Sequence, residues 1–300
     1  MDRASEHKAL AAAFVSHFLW GLSFLASRTA LNTAPVLLLL SHRFLLAFAL
    51  MSLLLPTRLG DCHLKGKAIW PLLLLGLLQP VIYFFGEQYG ILHSTTIFSG
   101  VMISIVPICS ILAAVPVLHE KPTMGQLLFS LLSVGGVIGV GLMSRSSGAL
   151  DWIGVAALLV AVFAAMAYTL LNRGISARFT AFERTYVMMG VGAAVFTGLA
   201  LVSVKGSLAA YLQPFAASSY LIAVLFLAVF CSVICYFLAS YSLTSLSVAR
   251  ATVFANLTTA VSVFAGAVIL HEPFSLFGLL CCAVILIGIY GVQRTARESG

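Results

Sequence analysis

Long apolar runs alternate with short polar breaks along this chain. Each run is close to the roughly 20 residues that an α-helix needs to cross a hydrocarbon core of about 30 Å. The breaks predict ten helical spans, at about 9–30, 35–55, 69–93, 95–118, 124–143, 152–172, 184–203, 218–242, 247–270 and 274–292. A transmembrane barrel would instead show alternating polarity in segments of about 10 residues. Connections such as Leu31-Asn32-Thr33-Ala34 and Glu120-Lys121-Pro122-Thr123 are too short for anything but helical hairpins, so no loop can hold a soluble catalytic domain.

The pattern also repeats. His119-Glu120 is answered by His271-Glu272, each closing a long apolar run and each followed by a proline, Pro122 and Pro273. The same 152-residue offset lays Tyr89 on Tyr241, Gly136 on Gly288 and Gly139 on Gly291. Two copies of one unit are expected, residues 1–147 and 148–300. Each copy holds five spans, an odd number, so the second must enter the bilayer inverted relative to the first. The fold class expected is an all-α integral membrane protein, two inverted five-helix repeats around a central cavity, an arrangement used by alternating-access transporters.

Composition supports the membrane assignment: 61% of the 300 residues are hydrophobic and 8% charged, where a soluble domain carries about a quarter charged. The formal charge of +7 does not point to nucleic acid, because the basic residues sort by side of the membrane. With the N-terminus inside, the cytoplasmic segments hold Arg3, Lys8, Arg58, Lys65, Lys67, Lys121, Arg173, Arg178, Arg184, Arg294 and Arg297, and the opposite side only Arg28, Arg145 and Lys205. Both termini are therefore expected to be cytoplasmic. The first run could serve as a signal peptide, but it has a mate at 152–172, and its removal would break the repeat. The six cysteines read as small core residues. Cys231 and Cys235, one turn apart, lack a nearby histidine for a metal. His119-Glu120 opens no His-Glu-x-x-His site, since Thr123 stands where the second histidine would be, so no metal and no cofactor is expected.

Ionisable side chains deep in a span cost about 2.5–3.5 kcal/mol each on insertion scales and persist where they face a cavity or a partner. Arg43 lies eight residues past Pro35, which at 1.5 Å per residue puts it roughly 12 Å into the membrane. Glu87, in the outer half of the third span, is at a depth from which the two side chains can meet, directly or through water. Their pairing could simply lock two helices together, or Glu87 could line a substrate path, exchanging protons or contacting an ammonium group. Tyr83 lies one turn before Glu87 on the same face, and Pro80 removes a backbone hydrogen bond nearby; that face is the expected binding wall. Pro107 and Pro116 are expected to break the fourth span in a similar way. Trp20 and Tyr168 fall near mid-membrane and complete the candidate substrate-binding set with Glu87, Tyr83, Arg43 and Asn256, although Asn256 reads equally well as interhelical glue. His17 and His42 read first as core histidines, and Arg250 as a side chain reaching the cytoplasmic surface. Gly135, Gly136, Gly139 and Gly141 put small residues on one face of the fifth span, for packing within the chain ahead of dimerisation.

At these residues the chain resembles the EamA family of the drug/metabolite transporter superfamily, as two EamA units over nearly all of its length. The resemblance is carried by Leu19-Trp20-Gly21-Leu22-Ser23-Phe24, His42-Arg43-Phe44-Leu45, Tyr89-Gly90-Ile91, Pro107, Glu120 and Glu272. The second unit departs at its start, where Ala165 to Tyr168 replace the Trp-Gly pair, and it has no counterpart of Arg43. The resemblance implies a ten-helix basket with cytoplasmic termini in a bacterial inner membrane that moves small metabolites, frequently amino acids, outward. For Glu120 and Glu272 the simplest role is structural, a carboxylate near the start of the following helix, where the dipole favours it.

The function expected is a secondary carrier, monomeric, with a small-molecule substrate and protons as a possible coupling ion. No Walker motif is present, so ATP is not the driver. Efflux of cationic lipophilic compounds is the alternative within transport, with Glu87, Trp20, Tyr83 and Tyr168 as a cation box. A non-transporting receptor or an intramembrane enzyme stands behind both; dispersed His and Cys residues offer an enzyme no nucleophile and base at one depth.

Overall fold

The computed structural model describes residues 3–57, 62–93, 102–103, 105–143, 152–269 and 276–297. Regular structure among them is helical throughout. The principal helices are α1 (Arg3–Leu31), α2 (Val36–Leu54), α3 (residues 70–92), α4 (Val106–Leu118), α5 (Met124–Met143), α6 (Trp152–Gly174), α7 (Ala181–Ser203), α8 (Ser218–Ser245), α9 (residues 248–269) and α10 (Leu276–Arg297). Among the described residues six segments are long and apolar enough to cross a membrane: α2, Trp70–Glu87 of α3, α6, α7, α8 and Leu276–Thr295 of α10. Leu53, Phe163, Ile222 and Leu286 stand exposed on the outside of the bundle, where lipid would cover them.

Local chemistry sets the helix ends. Thr180 and Glu183 form a reciprocal capping box, which starts α7 three residues before the hydropathy break at 184. Thr123 and Gln126 exchange the same pair of bonds at the start of α5. α4 closes on His119 in the left-handed region, φ 57°. Prolines act differently from one another. Pro107 lies in the first turn of α4, where its missing N–H costs nothing, and α4 runs unbroken through Pro116, so the expected break of the fourth span is not present in the described stretch. Pro80 does break α3. Gln79, just before it, leaves helical geometry at φ −146°, ψ 119°, next to a cis Gln79–Pro80 peptide bond, and α3 is two helical pieces joined at a kink. In α8 residues 227–234 form a π-helical stretch inside a helix that stays continuous, and the 152-residue offset carries 77–82 onto 229–234.

Packing follows the repeat. α5 lies along α10 and α2 along α7; α1 packs on α8 and α9, while α6 packs on α3 and α4. The α5–α10 seam shows the reciprocity atom by atom. A Cβ on Gly136 would meet Cys281 O at 2.9 Å and Ile285 Cγ1 at 2.8 Å; one on Gly288 would meet Phe129 O at 2.7 Å and Ser133 Cβ at 2.6 Å. Phe129 and Cys281, and Ser133 and Ile285, are mates under the same offset. Gly136 and Gly139 thus face α10 within the chain.

Candidate functional site

The kink of α3 and the π-helical stretch of α8 meet at Tyr236. This buried residue lies two positions past the π segment of α8, and its hydroxyl accepts from Gln79 Nε2, in the break of α3, at 2.9 Å. Trp20 of α1 and Tyr168 of α6 set their rings edge-on to Tyr236, with centroids 5.1 and 6.4 Å away. Trp20 Nε1 donates to the carbonyl of Cys231 at 2.8 Å, an acceptor inside the widened turn. The kink of α3 and the π stretch of α8 therefore place the Gln79 amide and the Cys231 carbonyl where the Tyr236 hydroxyl and the Trp20 indole reach them.

Arg43 of α2 enters the same region. Its Nε donates to Ser232 Oγ at 2.7 Å, and its guanidinium stands 5.4 Å from the centre of the Phe44 ring and 5.2 Å from that of Phe84. On the far side, Tyr83 donates its hydroxyl hydrogen to Glu87 Oε1 at 2.8 Å, the one-turn pairing read from sequence. The direct Arg43–Glu87 contact envisaged from depth is not formed; Arg43 bonds Ser232. Tyr83 and Tyr236 are each within electrostatic range of both charges. Of the six candidate residues, the fold brings Trp20, Arg43, Tyr83, Glu87 and Tyr168 around Tyr236. Asn256 stands apart in α9, where its Nδ2 donates to Ser133 Oγ of α5 at 3.1 Å, the interhelical role. Gln79 and Ser232 were missed: a glutamine before a proline and a serine in an apolar run carry no pattern that names a partner 157 or 189 residues away.

Other polar positions have partners of their own, while His42 Nε2, Ser110 Oγ, Ser130 Oγ and Asn256 Oδ1 are buried without one among the described residues. His42 Nδ1 is 2.7 Å from the Tyr220 hydroxyl, with its ring against Tyr211 and Phe215. His17 sets its ring on Trp20 and faces Thr258. Cys231 and Cys235 point at carbonyls of α1, and the described residues hold no group of three or more His, Cys, Asp or Glu that could bind a metal.

A second polar network ties the bundle where α4, α6 and α8 end. Glu120 accepts from Arg173 Nε at 3.0 Å and from the backbone N–H of Val248 at 2.7 Å, while Arg173 Nη1 donates to the carbonyls of Leu243 and Thr244. The Glu120 carboxylate does sit at a helix start, but at that of α9 in the other half of the chain, since Gln126 already caps α5. Glu272 lies outside the described residues. Arg184, expected among solvent-facing basic residues, is fully buried; it bonds the carbonyls of Asn172 and Ser240 and the Asn172 side chain. Arg250 pairs with Glu6 at 2.6 Å instead of reaching outward alone. A cavity of about 350 Å³ opens beside this network, lined by Glu120, Arg173, Gln126 and Arg250 among others.

The description of the EamA-like transporter family matches residues 7–142 and again 152–294, two units that together span most of the chain. The chain belongs to the EamA-like transporter family. The uncharacterized transporter YcxC of Bacillus subtilis (strain 168) is 31% identical over 296 residues, covering 97% of this chain and 94% of that protein. An uncharacterized transporter of Archaeoglobus fulgidus is 25% identical over 278 residues, covering 92% of this chain and 95% of that one. One crystal structure superposes with a TM-score of 0.80 over 99% of both chains at 19% identity, which is a likeness of fold. This EamA-like protein is accordingly a multi-pass membrane transporter.

Proposed function

We propose that this transporter is a secondary carrier with ten spanning helices in two inverted five-helix repeats, residues 1–147 and 148–300, which rock about a site near the membrane midplane. Its termini are cytoplasmic, in a bacterial inner membrane, and it acts as a monomer that exports small metabolites, amino acids first among them. The observation that carries this reading is the meeting of the α3 kink and the α8 π-helical stretch, at equivalent places in the two halves, on one hydrogen bond between Gln79 and Tyr236. Broken helices at membrane depth are tolerated where they are buried in protein or line a cavity, and carriers place substrate there. The reciprocal contacts of Gly136 and Gly288 across α5 and α10 support a seam about which two like halves are related.

The test is uptake of labelled amino acids and organic cations into proteoliposomes holding the purified protein, with and without a pH gradient, beside Glu87→Gln. Saturable uptake driven by the gradient and lost in the variant supports a proton-coupled carrier. Uptake insensitive to both makes the protein a facilitator and Glu87 structural, and absence of flux for every solute sinks the carrier reading. The edge-on rings of Trp20 and Tyr168 around Tyr236, with the Tyr83–Glu87 pair beside them, favour a second reading, efflux of lipophilic cations. It requires that Glu87→Gln abolish cation flux and spare neutral solutes.

A further inference from the structure

Two guanidinium groups are buried in this bundle in different ways. Arg184 is saturated: Nε donates to Thr180 O, Nη1 to Asn172 and Nη2 to Ser240 O. Arg43, only 6% exposed, makes a single hydrogen bond, from Nε to Ser232 Oγ. Its Nη1 and Nη2 have no acceptor among the described residues. The guanidinium carbon stands over the rings of Phe44 and Phe84, whose π faces attract the charge without replacing an oxygen acceptor. With Nε engaged, the edge left over is the pair of Nη groups, a planar fork that matches a carboxylate two bonds at a time. A charge kept at membrane depth with unmet donors calls for a partner that arrives from elsewhere.

We propose that Arg43 is the carboxylate subsite of the transport site, and that the substrate carries a carboxylate which closes on the Nη1 and Nη2 edge. Ser232 and the two phenylalanines are its positioning residues. The opposite charge of Glu87, bonded to Tyr83 whose ring packs on Phe84, gives the site a polarity that aligns a second, cationic group of the same molecule away from Arg43. This assignment rests on the carrier reading for its site but is tested by binding alone.

The experiment measures ligand-induced thermal stabilisation of the full chain in detergent against the twenty common amino acids. The strongest binder is then compared with its matched amine, which lacks the carboxylate, and its matched acid, which lacks the amine. In Arg43→Gln the amino acid and the acid bind roughly ten- to a hundredfold more weakly, the loss of a charge-assisted bidentate contact, while the amine is unchanged. Ser232→Ala, which keeps Arg43 and frees its Nε, shows a smaller loss with the same selectivity; it carries the test if Arg43→Gln does not fold. The subsite is overturned if no amino acid stabilises the wild type, if amine and amino acid weaken together, or if neither changes. Binding with this selectivity but no flux in sealed vesicles upholds the subsite and rejects the carrier. Flux of amines with exclusion of carboxylates does the reverse.

Discussion

Glu120→Ala should loosen the end of the bundle where α4, α6 and α8 finish, and the structure says by how much. The carboxylate makes two bonds, to Val248 N–H at 2.7 Å and to Arg173 Nε at 3.0 Å. Val248 is buried at the first turn of α9, so its N–H loses its partner outright, a cost of about 1–3 kcal/mol; the adjoining cavity can admit water, which argues for the lower end, about 1 kcal/mol. The ion pair is partly solvated, with 27% and 20% of the two side chains exposed, and Arg173 keeps the carbonyls of Leu243 and Thr244. Its share is therefore that of a screened pair, about 0.2–1 kcal/mol. The alanine variant should thus lose about 2 kcal/mol in total. Glu120→Gln retains an acceptor for Val248 and gives up only the charge, so it should lose less than half of that. Unfolding of the three proteins side by side in one detergent, followed by intrinsic fluorescence, gives the ordering wild type, Gln, Ala. Equal losses for the two variants, or none for either, would refute the reasoning.

Gly288→Ala should destabilise by about 1–3 kcal/mol, because its methyl would stand 2.7 Å from Phe129 O and 2.6 Å from Ser133 Cβ on α5; Gly198→Ala, with open space around it, should be neutral or slightly stabilising in the same melting assay. Arg184→Met takes the donor from the buried Asn172 and Ser240 acceptors, for a loss of about 1–3 kcal/mol, and Arg184→Lys should rescue little, since an ammonium cannot span acceptors on α6 and α8 together; thermal unfolding of both variants checks this. Tyr236→Phe keeps the rings of Trp20 and Tyr168 packed but strands Gln79 Nε2, which should cost about 1 kcal/mol of stability and a larger share of transport; uptake reduced no more than that of a Tyr290→Phe control would separate Tyr236 from the site.

Helical spans, the doubling of the chain and the Tyr83–Glu87 pair were legible in the residues alone, because each depends on local spacing: twenty apolar residues cross a bilayer, and a four-residue step returns to one helix face. The break at Gln79 was legible for the same reason, since Pro80 acts on its immediate neighbour. The tertiary structure alone decided which groups share a place. Ser232 meets Arg43, Gln79 meets Tyr236, and Glu120 caps a helix beginning 128 residues later, all contacts between the two halves that no local pattern encodes. Burial was decided there too: Arg184 and Arg178 look alike as basic residues at a membrane edge, yet one is enclosed by α6 and α8 and the other is exposed, because what surrounds a side chain is set by helices far away in sequence.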